Sequence, residues 1–264
     1  MAVTVGVFGA AGRMGSTVCR AVADAEDLDL VAAVDPNAAG QTISAVAGVD
    51  GAAGDVEVAG RADHLESTPD VMVDFTHLDA ARDNLAWCAA RGVHAVVGTT
   101  GFTDDDLDRF RATFIDSNCL IAPNFAIGAI LMMRFAEMAA PWFETAEVIE
   151  LHHDGKRDAP SGTAMRTVER MAAASTDWAP DPTVTHTVDG ARGGEGPAGI
   201  HIHSVRMRGM VAHQEVLLGT TGETLTIRHD SYDRTSFMPG VVLAARKIAE
   251  HPGVTVGLDP LLDS

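Results

Sequence analysis

Val3-Thr4-Val5-Gly6-Val7-Phe8-Gly9-Ala10-Ala11-Gly12-Arg13-Met14-Gly15 is the stretch on which the fold turns. The β-branched, apolar run over 3–8 predicts a buried strand, STVCRAVADA over 16–25 a helix, and LDLVAAV over 28–34 a second strand. Together they make a βαβ unit with glycines at the first strand-to-helix turn. There, backbone N–H groups and the positive end of a helix dipole face outward, and a Cβ would block close approach of a pyrophosphate. The spacing is G-x-x-G-x-x-G, a departure from the commoner G-x-G-x-x-G, so the loop alone also fits a plain tight turn. Asp35 strengthens it, closing the second strand about 20 residues beyond Gly15, where an acid accepts hydrogen bonds from an adenosine ribose. Gly9, Ala10, Ala11, Gly12, Arg13, Met14 and Asp35 are therefore expected to bind a nicotinamide dinucleotide. Asp35 favours NADH by repelling a 2′-phosphate, Arg13 favours NADPH by pairing with one, and Pro36 and Asn37 add no second cation, so use of both coenzymes is expected.

Strands alternate with helices onward from this unit. Residues 71–75 (VMVDF) and 95–97 are expected strands, 79–90 and 104–113 helices, and Leu120-Ile121 leads into Ala122-Pro123-Asn124-Phe125. That alternation predicts an α/β, Rossmann-type doubly wound parallel sheet. Gly98-Thr99-Thr100-Gly101 follows a strand at its carboxyl end, the edge where such sheets bind ligands, and is expected near the nicotinamide. Its twin, Gly219-Thr220-Thr221-Gly222, lies between two alternating runs, 211–218 and 223–229, and is expected to be a hairpin turn.

The texture changes near residue 125. Residues 127–138 and 164–174 read as helices, 146–151 as a strand, 179–199 as a Pro/Gly-rich loop, and the segment from Ile200 as longer alternating strands. This predicts a second α+β domain on a mixed or antiparallel sheet over 126–233, with 1–125 a dinucleotide-binding domain completed by 234–264. An amphipathic final helix over 239–249 would pack back on the first domain.

Composition narrows the partners. The 264 residues carry 19 Lys+Arg against 37 Asp+Glu, a formal charge of −18, with 46% hydrophobic residues. Such a chain is too apolar for disorder, holds no run of about 18 uninterrupted apolar residues, and repels a phosphate backbone or anionic membrane. Neither nucleic acid nor a membrane is expected as a partner. The three cysteines, Cys19, Cys88 and Cys119, are scattered and odd in number, and the apolar run from Ala2 lacks a basic leader, so a reducing, cytoplasmic setting is expected.

The chemistry is expected in Glu150-Leu151-His152-His153-Asp154-Gly155-Lys156-Arg157-Asp158-Ala159-Pro160-Ser161-Gly162-Thr163, which leaves a strand, crosses a loop and opens a helix. Imidazoles that titrate near neutrality, several cations and the N–H donors of a helix start meet there, an arrangement that grips a carboxylate and protonates its neighbour. Ser161 or Thr163 would cap the helix in any protein; Gly162 between them is better explained by an anion approaching the backbone. Lys156 and Lys247 are the only lysines, and proton donation at neutral pH needs an amine because arginine stays protonated. A metal is disfavoured: adjacent histidines converge poorly, and His201 and His203 merely share one strand face.

GAAGRMG, GTTG, APNFA and HHDGKRDAPSGTA, in that order, resemble the dihydrodipicolinate reductase (4-hydroxy-tetrahydrodipicolinate reductase) family of diaminopimelate and lysine biosynthesis. The last motif is the specific one, and the likeness extends through IHSVRMRGMVAHQEVLLG and RHDSYDRTSFMPGV. The resemblance implies a homotetrameric enzyme that uses NADH or NADPH to reduce a small cyclic dicarboxylate. It places cofactor contacts at Gly9 to Met14, Asp35, Gly98, Thr99, Thr100, Ala122, Pro123, Asn124 and Phe125. It makes His152 and Lys156 the proton-transfer residues and His153, Gly162 and Thr163 substrate contacts, beside Ser161. The family's second basic cofactor residue, an arginine after the acid in some members, is absent here. Two rival readings share the glycine loop: another two-domain oxidoreductase acting on an aldehyde or sugar, and a non-catalytic dinucleotide sensor that has no need of Lys156 beside an anion site.

Overall fold

The structure, a computed structural model, describes residues 2–263. In chain order its strands are β1 (Val3–Phe8), β2 (Leu28–Val34), β3 (Val58–Ala59), β4 (Val71–Asp74), β5 (His94–Val97), β6 (Cys119–Ile121), β7 (Thr145–His152), β8 (Gly194–Glu195), β9 (His201–Arg206), β10 (Ala212–Thr220), β11 (Glu223–Ser231) and β12 (Val254–Val256). The helices are α1 (Arg13–Ala23), α2 (Ile43–Ala47), α3 (Gly51–Gly54), α4 (Leu78–Arg91), α5 (Asp104–Thr113), α6 (Ile127–Ala139), α7 (Gly162–Ala174), α8 (Met238–Lys247) and α9 (Asp259–Leu262). The chain divides into two compact units, one of residues 1–126 with 234–264 and one of 127–233.

The first unit holds a seven-stranded sheet in the order β12-β6-β5-β4-β1-β2-β3, with every pair parallel. The order reverses between β1 and β4, and at such a switch point the loops leaving the carboxyl ends part to open a crevice. Phe8, Met72, Leu85, Val97, Phe110 and Cys119 belong to one buried cluster between the sheet and its helices. Helix α1 begins at Arg13, three positions before the glycine-free run from Ser16, because Gly12 takes the N-cap position and Gly15 lies inside the first turn. Helix α5 starts where its sequence dictates: Thr103 and Asp106 form a reciprocal capping box. β12 was not foreseen; a Val-Thr-Val stretch between glycines is too short to show alternation, and only pairing with β6 makes it a strand.

The second unit is built on a five-stranded mixed sheet, β11-β10-β7-β9-β8, in which β7 and β9 run parallel and the other pairs antiparallel. Val148, Glu150, Ile202, Gln214, Val216 and Leu218 are buried, and α7 packs on this face through Thr167, which accepts a 2.7 Å hydrogen bond from Gln214 Nε2. β10 and β11 pair out to Thr220 and Glu223, so only Thr221 and Gly222 form the turn. Gly222 takes a φ of +92°, which a side chain disfavours.

Candidate functional sites

In the first unit the expected nucleotide residues gather at the carboxyl edge of one sheet. Gly9, after β1, has φ +68°, and a Cβ on Gly15 would stand 2.0 Å from the Gly9 carbonyl oxygen, so strand, loop and helix approach this closely only with glycine. The N–H groups of Gly9 and Ala10 donate to the Val34 carbonyl and that of Gly12 to Gly9. Asp35, buried after β2, accepts the Ala11 N–H at Oδ2 (3.1 Å) and the Asn37 N–H at Oδ1 (2.9 Å). The loop thus spends its own amides on its shape. The first turn of α1, at Arg13 and Met14, begins at an N-cap glycine that offers no side-chain acceptor.

A cleft of about 800 Å³ runs beside this loop, lined by Gly9, Gly12, Asp35, Asn37, Arg61 and Trp87 among others. Arg61 and Trp87 were not singled out from sequence, since neither lies in a motif and only the fold brings them beside Asp35. After β5, Gly98 packs so closely on Phe75 that a Cβ would meet the ring at 2.0 Å. Thr99 is buried and its hydroxyl donates to the Thr76 carbonyl (2.7 Å), whereas Thr100 is exposed. Thr76 is in turn fixed by the buried Asp74, which accepts from its N–H and hydroxyl at 2.7 Å. After β6, Ala122 and Phe125 are buried, Pro123 is exposed, and Asn124 Oδ1 accepts the Ala126 N–H (2.9 Å).

In the second unit the segment from Glu150 to Thr163 leaves the end of β7 and returns as α7. His152 is the last residue of β7 and lies on the helix-covered face with Glu150; His153 is already outside the strand and exposed. Lys156 is half-buried, its Nζ 2.8 and 2.9 Å from the two carboxylate oxygens of Asp158, and its N–H donates to the His153 carbonyl. That pairing holds the Asp158 carboxyl below its usual range. Ser161 caps α7, accepting the Ala164 N–H at Oγ (3.1 Å), and its own N–H donates to Glu150. A Cβ added to Gly162 would meet nothing within 4 Å, so no internal contact demands glycine at the first residue of this helix. Thr163 follows it in the first turn.

Two residues of this site were given no role in the sequence, although Glu150 opens the segment quoted there. Glu150 has no exposed side-chain surface, and Arg206 of β9 grips it in a fork, Nη1 to Oε2 and Nη2 to Oε1, both at 2.8 Å. An acid on the core-facing register of an apolar strand, two residues after Val148, was a readable signal for Glu150. Nothing local could have found Arg206, because β7–β9 pairing sets it opposite His152. Among the described residues no group of three or more His, Cys, Asp or Glu converges to hold a metal; His201 lies 3.5 Å from Asp181, and His203 pairs with Glu147 at 2.6 Å. Also among the described residues, no helix is long and apolar enough to cross a membrane.

Comparison with known proteins covers the whole chain. Residues 3–125 match the family described as dihydrodipicolinate reductase, N-terminus, and residues 128–262 its C-terminus. The 4-hydroxy-tetrahydrodipicolinate reductase of Mycolicibacterium vanbaalenii is 52% identical over 263 residues, 98% of each chain, and that of Nocardia farcinica is 51% identical over the full length of both. A dipicolinate-bound dihydrodipicolinate reductase from Paenisporosarcina superposes with a TM-score of 0.85 at 38% identity, over 98% of this chain and 99% of that one. An amine dehydrogenase from Mycobacterium smegmatis, 15% identical with a TM-score of 0.66 over 97% and 95% of the chains, shares the fold.

Proposed function

The chain belongs to the dihydrodipicolinate reductase family, and from that premise we propose that it reduces 4-hydroxy-tetrahydrodipicolinate, via dihydrodipicolinate, to tetrahydrodipicolinate in diaminopimelate and lysine biosynthesis. The observation that carries the reading is Gly162, open to its surroundings at the head of α7, on the segment that also bears His152, His153 and Lys156. A dicarboxylate finds there what it needs: backbone donors at a helix start for one carboxylate, and cations for the charge that builds on the ring nitrogen and its neighbours.

The first unit fits a nicotinamide dinucleotide, because Gly9 and Gly15 let strand, loop and helix close into a tight turn and the N-cap Gly12 puts no side chain over the first N–H groups of α1. The first turn of α1 would face the pyrophosphate and Asp35 the adenosine ribose, with Gly98, Thr100 and the 122–125 loop toward the nicotinamide. Bound there, the reduced coenzyme supplies a hydride, and the reduction is completed by one proton from the protein. Lys156 Nζ, held 2.8 Å from the Asp158 carboxylate, delivers that proton, and His152 returns a proton to the site. Gly162 and Thr163 hold the substrate carboxylate, with His153 beside them and Ser161 fixing the start of the helix. The direct assay follows oxidation of each coenzyme with freshly made synthase product; pyridine-2,6-dicarboxylate, a planar analogue, should inhibit competitively with substrate. Absence of coenzyme oxidation would favour a dinucleotide sensor, and turnover of an aldehyde or sugar with no inhibition the alternative oxidoreductase.

Both coenzymes should serve. Asp35 already accepts two backbone N–H groups, which tempers its repulsion of a 2′-phosphate, while Arg13 is exposed at the loop. Arg13→Ala should raise KM for NADPH several-fold, about 1 kcal/mol of lost pairing, and leave KM for NADH nearly unchanged. Equal effects on both coenzymes would remove Arg13 from 2′-phosphate recognition. Thr163→Val should raise substrate KM several-fold with little change in kcat, and an unchanged KM would argue against the carboxylate site.

Assembly as a homotetramer in the cytoplasm completes the proposal. Half-buried Ile149, Leu151, Val205 and Leu217 share the sheet face opposite α7, which suits an interface between copies, and the cysteines are all unpaired and buried, which suits a reducing compartment. Sedimentation equilibrium reads the assembly directly.

A further inference from the structure

We propose that Glu150 is a positioning residue for the reaction, one that fixes His152 in a single orientation and tautomer, with the proton on Nδ1 and Nε2 left as the nitrogen that exchanges protons. The inference rests on the reading of this segment as the reductase site. Glu150 and His152 share the inner face of β7, and His152 Nδ1 lies 2.5 Å from Glu150 Oε2. The same carboxylate is gripped by both Nη atoms of Arg206 and accepts the Ser161 N–H at 3.2 Å. The donors around this buried group oppose its burial: burial pushes the carboxyl up, but hydrogen bonds from Arg206, Ser204 and His152 together bring it below its ordinary value, so it is ionised. An ionised carboxylate only accepts, so the imidazole nitrogen facing it must be the donor.

The arrangement is more than a buried ion pair. Arg206 and Glu150 would satisfy each other without a histidine, as a fork against a carboxylate. Through Arg206 the network reaches Lys156's loop as well, because Nη2 also donates to the Asp158 carbonyl at 2.7 Å. One buried carboxylate therefore ties together the end of β7, the strand β9, the far end of the lysine loop and the cap of α7. Around His152 the charged groups are Glu150, Arg206 and Lys156, with Asp158 behind the lysine. Opposite, β10 offers Ala212 and Gln214, and α7 contributes Ser161 and Thr167, none of them charged. Burial draws the imidazolium down, with Lys156 and Arg206 acting in the same sense, and Glu150 is the one group that opposes them.

The isosteric Glu150→Gln tests this. Removing the negative charge destabilises the imidazolium, so the limb of the kcat profile set by loss of the His152 proton, distinct from that of the donor Lys156, should move to lower pH by about one unit. The maximal kcat should fall about tenfold or more while substrate KM changes little. Glu150→Asp, which keeps the charge, should bring the limb back toward the wild-type position. A uniform loss of kcat with an unmoved limb would overturn the inference and make Glu150 a packing residue. Should Glu150→Gln not fold, ¹⁵N spectra of histidine-labelled wild-type protein, with His152 identified by its loss in His152→Asn, decide the matter: a proton on Nδ1 supports the inference and one on Nε2 alone contradicts it. His152→Ala with undiminished kcat would instead sink the underlying reading of the site, an outcome separate from an unmoved limb in Glu150→Gln.

Discussion

Lys156→Ala should lower kcat by about 10²–10⁴-fold, the range a positioned general acid contributes, while leaving coenzyme affinity unchanged. The amine is half-buried and held by both oxygens of Asp158, so it is aimed by a short loop. Removing it leaves the loop's hold on β9 intact, because the Asp158 carbonyl stays bonded to Arg206. The expected defect is therefore in proton delivery. Lys156→Arg separates charge from acidity: a guanidinium keeps the positive charge but does not release a proton, so substrate KM should recover more than kcat. A wild-type kcat in Lys156→Ala would take this residue out of the mechanism.

Gly15→Ala should be the most damaging of the small substitutions. The added methyl would stand 2.0 Å from the Gly9 oxygen and 2.7 Å from its carbon, both backbone atoms that cannot rotate away. Relief requires α1 to move off the loop, at a cost of about 3 kcal/mol, the upper range of overpacking. A fall in Tm on the order of 10 °C and loss of measurable coenzyme binding are expected. Gly162→Ala is the matched control, since its methyl meets nothing within 4 Å. That variant should keep its Tm and its coenzyme affinity, and its defect should fall on substrate KM. Equal thermal damage in both would mean that the open space at the head of α7 is not reserved for a ligand.

The contrast between these glycines shows how far the sequence could be read. The main strands and helices of the first unit, apart from the short β3, α2, α3 and α9, were legible as apolar runs, β1 and β5 closed by glycine, or as stretches with their own cap, such as Thr103 before α5. Asp35 was legible because its distance from the glycine loop is set by the length of one helix and one strand. The same logic failed for α1, where glycine reads as a break although Gly12 and Gly15 are what allow the helix to start early. It failed again for β12, whose strand character exists only through pairing with β6.

At the substrate segment the divide is sharper. His152, Lys156 and Gly162 could be picked out because their chemistry is concentrated in one stretch of chain. The groups that hold them are dispersed: Arg206 arrives from a strand paired through the sheet, and Gln214 and Thr167 close the layer below from β10 and α7. Sequence spacing carries no record of such contacts. Asp158 was in plain view, yet its role follows from the turn that brings its carboxylate back onto the lysine. The cations of this segment were read as a group, whereas the structure divides them: Lys156 is paired and half-buried, Arg157 is exposed, and a further half-buried cation of the site, Arg206, lies outside the segment.

The central claim is that the head of α7 and the Lys156 ammonium together take a ring dicarboxylate. A crystal structure of this protein with pyridine-2,6-dicarboxylate tests it most directly. The account predicts one carboxylate on the N–H groups of Gly162 and Thr163, with Lys156 Nζ within about 3 Å of the ligand. A ligand seated elsewhere, or an ordered ligand with the Lys156 amine turned into bulk water, would contradict it.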